Sequence, residues 1–144
     1  MTVRRINIQL LLASLCLLMG IGIYLLFRSR QHLGFIVLDS LGFASAIDAI
    51  RSLTRDVAVP EFVRFCLPDG LWTTSYILFS DWFNRNEAQK SRLLWTSAIP
   101  VIGCVSEIMQ LFGLLPGVFD ILDLACYSLP FLAYLIYIIK KKHG

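Results

Sequence analysis

The chain has 144 residues, of which 57% are hydrophobic and 16% charged, with a formal net charge of +3. Soluble domains contain about 45–50% apolar and about 25% charged residues, and disordered chains are poorer still in apolar residues, so the composition excludes both classes. The net charge is small and the basic residues form no stripe along the chain, so the sequence gives no reason to expect nucleic acid as a partner.

The first predicted element is a membrane span over residues 6–27. This segment carries no charge, and at about 1.5 Å per residue it extends about 33 Å, slightly more than the roughly 30 Å hydrocarbon core of a bilayer. Arg4 and Arg5 precede it, as basic residues precede the apolar core of a signal peptide, but no small-residue cleavage site follows. We therefore expect the segment to stay in the membrane as a helix.

The loop after this span contains an amphipathic pattern over residues 43–57. Its apolar residues recur at steps of three and four, while the charges fall mostly at other positions, which is typical of a helix with one apolar face. The segment is too short to cross a bilayer, and Pro60 ends it. We predict an interfacial helix, whose apolar residues are Phe43, Ile47, Ile50, Leu53 and Val57.

Three further charge-poor segments complete the predicted architecture. They cover about residues 69–85, 93–114 and 120–139. Trp72 and Trp82 stand near the ends of the first of these, as expected for aromatic rings at a membrane interface. The segment that follows is longer than one crossing needs, so we place its exit near Leu114 and a tight turn at 115–117. The sequence thus predicts an all-α integral membrane protein, a single membrane domain with four transmembrane helices.

The basic residues are divided unequally between the two predicted sides. Eight fall on the side of the N-terminus and five in the long first loop. Because positively charged residues are enriched in cytoplasmic loops, we predict that both termini are cytoplasmic. The eight are Arg4, Arg5, Arg85, Lys90, Arg92, Lys140, Lys141 and Lys142, and the five are Arg28, Arg30, Arg51, Arg55 and Arg64.

The four cysteines follow no zinc or redox spacing. Cys16, Cys104 and Cys126 lie inside predicted spans, and Cys66 lies in the first loop. A bridge between Cys66 and Cys126 is open if both reach the outer face, but cysteine in a membrane interior usually acts as a small hydrophobic residue. We expect free thiols. No cofactor is predicted, and the identity of any metal stays open.

Five polar residues are candidates for a binding site. Glu107 lies deep in a span, where a charge costs about 2.5 kcal/mol or more, so it is expected to face the bundle interior or a wet cavity. Gln110 follows on the same helical face. Asp69, Asp120 and Asp123 stand at the starts of two spans, where aspartate also serves as a helix cap. We predict that the five converge in an outer pocket for a cation, a proton or a lipid-linked headgroup, without defining a reaction.

Two segments carry motifs of a known family. They are Glu107-x-x-Gln110-x-Phe112 with Pro116-Gly117, Phe119-Asp120 and Asp123, and Pro68-Asp69-Gly70-Leu71-Trp72 through Tyr76. These motifs resemble those of the VanZ-like membrane proteins. The resemblance covers about residues 67–139 and implies a multi-pass plasma-membrane protein of the bacterial cell envelope. The family is named for a member associated with resistance to the glycopeptide teicoplanin, and it has no established biochemical activity.

Three functions remain open at this stage. The first is an envelope protein whose outer pocket binds an envelope component or its lipid-linked precursor. The second is a structural subunit that docks onto a larger membrane complex, or onto a second copy, through small residues that allow close helix approach. The third is a small intramembrane enzyme or proton-coupled carrier, with helices broken at prolines. The small residues are Gly20, Gly22, Gly103 and Ser106, and the prolines are Pro100 and Pro130.

Overall fold

A computed structural model describes residues 2–30 and 33–143, and the side chains of residues 8–30 and 34–141. The side chains of Arg4, Arg5 and Lys142, which belong to the predicted cytoplasmic set, lie outside these ranges. The described chain is all-helical. Its helices are α1 (Thr2–Phe27), α2 (Leu33–Ser40), α3 (Ala44–Leu53), α4 (Glu61–Phe65), α5 (Leu67–Phe83), α6 (Gln89–Leu111) and α7 (Ile121–His143).

Within the described residues, three helices are long and apolar enough to cross a membrane. They are Ile8–Phe27 within α1, Gln89–Leu111 in α6 and Ile121–Lys141 within α7. The remaining predicted span, over about residues 69–85, corresponds to α5, which is not among these three helices and whose 17 residues extend about 25 Å. The all-helical class is therefore confirmed, with three helices that have the length and composition of membrane spans.

Helix α5 lies at the centre of the bundle. It packs against α1, α6 and α7, and α6 and α7 also pack against each other. Most of its buried side chains are small or polar, among them Thr73, Ser75 and Asp81. The Ser75 hydroxyl donates a hydrogen bond to the Ala13 carbonyl of α1 at 2.8 Å. Small residues at this contact let the α1 and α5 backbones approach closely.

Trp72 also faces α1. A Cβ at Gly20 would stand 2.5 Å from Trp72 Nε1, and the Tyr24 ring lies 5.4 Å from the Trp72 ring. The absence of a side chain at Gly20 provides room for the indole between the helices, and the position of Trp72 at the membrane interface stays a prediction. The Nε1 atoms of Trp72 and Trp82 are both buried.

Polarity is distributed in the opposite sense to that of a soluble domain. Large apolar side chains point outward from the long helices, with Leu18 64%, Ile102 63% and Leu129 62% exposed. Thr73 and Glu107 are instead buried. An apolar surface of this extent marks contact with lipid or another apolar partner. The outer surface of the bundle is therefore apolar, as expected for helices surrounded by lipid.

Helix α6 ends three residues before the predicted exit at Leu114. Gly113 adopts a left-handed conformation with φ +68°, and the Leu114 N–H donates to the Met109 carbonyl at 2.8 Å. This is a Schellman end, for which glycine is the usual residue. Residues 112–120 then form an irregular connection, longer than the tight turn expected at 115–117.

The first loop contains three short helices, of which only α3 was expected. It lies within the predicted helix over 43–57 but ends at Leu53, where the Thr54 N–H donates to the Arg51 carbonyl and a turn follows. Ile47 is buried, and α3 packs against α1. At least part of the apolar face of α3 therefore docks onto the bundle, and contact of the rest with lipid stays a prediction.

Candidate functional site

The start of α5, the end of α6 and the start of α7 meet at one end of the bundle. They bring together Asp69, Glu107, Asp120 and Asp123, which we call the acidic cluster. The ligand atoms of Asp120 and Asp123 lie within 4.8 Å of each other, and Glu107 contacts Asp120. The charges of Glu107 and Asp123 also reach Asp69. The structure thus groups four of the five candidate residues.

Glu107 is the most buried acid of the cluster, with 5% of its surface exposed. Its Oε2 accepts a hydrogen bond from the backbone N–H of Asp120 at 3.2 Å. This N–H precedes α7 and has no partner within that helix. Glu107 therefore joins the end of α6 to the start of α7, which gives its burial a structural explanation.

Asp120 caps α7, whereas Asp69 does not cap α5. Asp120 Oδ1 accepts the N–H of Leu122 at 2.8 Å, so the capping interpretation is confirmed for this residue. Asp69 is the third residue of α5, and the cap position belongs to Cys66, whose side chain makes no capping hydrogen bond. The capping interpretation is wrong for Asp69, although its charge still favours the positive end of the helix dipole.

Asp123 carries the unsatisfied group of the cluster. It lies in the first turn of α7. Its Oδ1 is buried and has no hydrogen-bond partner among the described residues. A buried polar atom without a partner is unfavourable and rare in folded proteins, so it calls for an ion, a water molecule, a proton or a ligand group.

Cys66 is a member of the site that sequence reasoning missed. It is 2% exposed, and its Sγ lies 4.0 Å from Asp120 Oδ2. Cys66, Asp120 and Asp123 together present one thiol and two carboxylates within 4.8 Å. Burial and then the neighbouring Asp123 carboxylate raise the pKa of the Cys66 thiol to about 12. At neutral pH the thiol is protonated, which argues against a nucleophilic role.

Only the position of Cys66 in the sequence could have indicated that it belongs to the site. It immediately precedes α5, where it was weighed as one half of a bridge to Cys126. The structure has Cys16, Cys66, Cys104 and Cys126 as free thiols. Thiol and carboxylate oxygen are both ligands for divalent transition metals, so these three side chains could hold such an ion once the thiol loses its proton.

Gln110 packs against the connection that follows α6. Gly117 has φ +136°, and a Cβ at that position would lie 2.8 Å from Gln110 Cδ. The Gln110 side chain therefore packs directly on the backbone of the connection. Its expected membership of the pocket is not supported by these contacts, because the chain folds back over Gln110 after α6 ends.

Two glycines let α7 close the site. A Cβ at Gly70 would stand 3.3 Å from Cys126 Sγ, and one at Gly103 would stand 2.5 Å from the Tyr127 ring. Both contacts involve α7, which meets α5 at Gly70 and α6 at Gly103. The acidic cluster is thus held between helices that approach closely.

A second polar group, which we call the Asp81 network, lies at the opposite end of the bundle and was not predicted. Asp81 is 7% exposed. Its Oδ1 accepts hydrogen bonds from Arg92 Nε and the Tyr134 hydroxyl, each at 2.6 Å. Its Oδ2 accepts one from Gln9 Nε2 at 3.0 Å. The network joins α1, α5, α6 and α7, and its sequence signal is the opposite charge of Asp81 and Arg92 across a short loop.

Comparison with known proteins gives no relative for this chain. No family model matches the sequence, and searches of curated proteins and of solved structures find no significant similarity. The functional proposal therefore rests on the geometry of the site and on the sequence motifs.

Proposed function

We propose that this is a VanZ-like multi-pass protein of the bacterial plasma membrane, with four spans and both termini in the cytoplasm. The support for α5 as the fourth span is its central position among α1, α6 and α7. The Asp81 network joins the start of α1, the end of α5 and the start of α6. This is the neighbourhood expected when successive helices cross in alternating directions.

We further propose that the acidic cluster binds a cationic group of an envelope component or of its lipid-linked precursor. The observation that carries the proposal is the buried, unbonded Oδ1 of Asp123 within a group of acids supplied by three helix ends. Such convergence of ionisable groups at membrane depth is typical of a binding site.

The acids of the cluster differ in the contacts that they make. Glu107 and Asp120 bond backbone N–H groups around the start of α7, so they hold the site in shape. The Oδ1 atom of Asp123 has no partner among the described residues, so this oxygen can accept a contact from a ligand. Like charges held this close disfavour each other's ionised form, and a bound cation relieves that repulsion.

Asp123→Asn is the decisive variant because it removes one charge while keeping the size of the side chain, and the Oδ1 atom of Asp123 has no hydrogen-bond partner among the described residues. We expect that cells expressing the wild-type protein tolerate more teicoplanin than cells with an empty vector, and that Asp123→Asn returns tolerance to the vector level. Asp56→Asn, at an exposed acid of the first loop, is the control and is expected to keep wild-type tolerance.

Membrane abundance must be measured for each variant in the same cells. Full tolerance with Asp123→Asn at wild-type abundance would remove the acidic cluster from the function. Equal tolerance of wild-type and empty-vector cells would contradict the envelope role.

The alternative functions lose part of their support. Gly20 and Gly103, considered as contact points for another subunit, are occupied by Trp72 and Tyr127 of the same chain. Gly22 alone among these glycines has nothing within 4 Å. The prolines considered as helix breaks of a carrier lie inside α6 and α7, both of which continue through them.

A further inference from the structure

A basic cleft opens where α1 ends. Its volume is about 560 Å³, and it lies between the end of α1, the end of α3 and the chain that leads into α4. Three arginines line it, Arg51, Arg55 and Arg64, with Asp48 as the one acidic lining residue. No part of the acidic cluster belongs to this cleft.

Two of these arginines are fixed on the backbone of α1. Arg51 Nη1 donates to the carbonyls of Leu25 and Arg28 at 3.0 and 2.9 Å. Arg64 Nε donates to the Phe27 carbonyl at 2.6 Å. Because the three carbonyls belong to the same helix end, both guanidinium groups are held close together, and each has N–H groups left for another acceptor.

The positive charge of the cleft is not balanced within the described part of the chain. Asp48 forms an ion pair with Arg30, which does not line the cleft. Among residues 8–30 and 34–141, none of the ion pairs involves Arg51, Arg55 or Arg64. Hydrogen bonds to carbonyls leave the guanidinium charge in place, so the cleft is suited to an anion.

The location of the cleft favours an anion carried by a lipid. The apolar span of α1 ends at Phe27, so the cleft lies at the level where a bilayer meets water. Beside it, Ile50, Leu53 and Val57 are exposed, Leu53 by 82%. Basic side chains next to exposed apolar ones are the pattern of a surface that contacts lipid headgroups and acyl chains together.

We propose that the cleft of Arg51, Arg55 and Arg64 binds the phosphate group of an anionic membrane lipid. Guanidinium groups match the oxygens of phosphate with paired hydrogen bonds, which makes arginine a preferred residue for this recognition. The proposal is independent of the acidic cluster and of the function assigned to it.

The test is native mass spectrometry of the full-length protein purified in mild detergent, with phosphatidylglycerol or phosphatidylcholine added at equal concentration. We expect retention of phosphatidylglycerol over phosphatidylcholine. Arg55→Gln is the first variant, because Arg55 is exposed and lacks an ion pair among the described residues, and it is expected to weaken binding by about fivefold. Adding Arg64→Gln should weaken it further, by about tenfold or more in total.

Lys90→Gln, at the start of α6 and far from the cleft, is the matched control and should retain phosphatidylglycerol as the wild type does. A separate arm adds inorganic phosphate. If the headgroup phosphate is what the arginines bind, excess inorganic phosphate should reduce lipid retention without itself binding as tightly as the lipid. Equal retention of the two lipids, or phosphatidylglycerol retention unchanged in Arg55→Gln and in the double variant, would overturn the proposal.

Discussion

At the scale of single residues, Asp81 shows most clearly what the sequence leaves hidden. In the sequence, Asp81 is only a charge near one end of an apolar segment, and Arg92 is only one of the basic residues predicted to be cytoplasmic. In the structure they form an ion pair between a buried aspartate and a partly buried arginine, to which Gln9 and Tyr134 add hydrogen bonds. The pairing could not be predicted from charge patterning, because it depends on which helix faces meet.

We expect Asp81→Asn to lower the free energy of unfolding by about 3 kcal/mol. The substitution leaves the Arg92 guanidinium partly buried without its counter-charge, and removing one partner of such a pair costs more than the pair contributes. The measurement is denaturant unfolding of the purified protein in mild detergent.

Asp48→Asn is the control for this prediction. It makes the same chemical change in the ion pair with Arg30, where the Asp48 side chain is 62% exposed. The expected loss there is below about 1 kcal/mol, because solvent screens an exposed pair. Equal losses for the two variants would mean that the Asp81 network adds nothing to stability beyond a surface contact.

The acidic cluster was largely predictable, for an identifiable reason. Glu107 lies in the outer third of one predicted span, Asp120 and Asp123 stand at the start of the next, and antiparallel crossing brings these positions together. Cys66 was not predictable as a member, because a single cysteine leaves no periodic signal. Gln110 was expected in the pocket because it shares a helical face and a motif with Glu107. Both residues do lie within α6, but the connection after the helix folds back, so that Gly117 packs against the Gln110 side chain.

At the scale of elements, the α6–α7 hairpin depends on close approach of the two helices. The hairpin was predicted from the length of the third apolar segment, but Gly103 was interpreted as a surface for another subunit. The structure places the Tyr127 ring of α7 directly over it. Sequence alone identifies a small residue but not the neighbour that requires it.

Gly103→Ala is expected to destabilise the protein by about 1–3 kcal/mol, because the added Cβ would lie 2.5 Å from the Tyr127 ring and must push α7 away. Gly22→Ala in α1 is the matched control. Nothing lies within 4 Å of a Cβ there, and alanine favours helix over glycine by up to about 1 kcal/mol, so this variant should be neutral or slightly stabilising. Thermal unfolding of both variants in the same detergent makes the comparison. Similar unfolding temperatures would show that the helices do not meet at Gly103.

At the scale of the whole molecule, the proposed topology rests on whether α5 crosses the membrane. Three helices satisfy the length and hydropathy of a span, while α5 is shorter and carries Asp69 and Asp81. With α5 as a span, the connection between α5 and α6 and the end of α7 share the side of the N-terminus. Without it, the order of sides after α5 reverses.

Reporter fusions in bacterial cells can distinguish the two arrangements. We expect a fluorescent protein to be active when inserted in the 84–88 connection or fused after α7, and a periplasmic phosphatase to be active when inserted in the 112–120 connection. A phosphatase inserted at Val59 in the first loop should also be active and serves as the reference for the outer side. An active phosphatase in the 84–88 connection would contradict the four-span arrangement.

If α5 is the fourth span, as proposed, its central position in the bundle also bears on how it would enter the membrane during synthesis. A segment of 17 residues with two aspartates is a poor substrate for independent insertion, because each charge at membrane depth opposes transfer into lipid. α1 is synthesised first, and it offers Ala13 and Gly20 as contacts for α5. The first helix would therefore act as an intramolecular chaperone for the central one, retaining it in the bilayer until Arg92 arrives to neutralise Asp81.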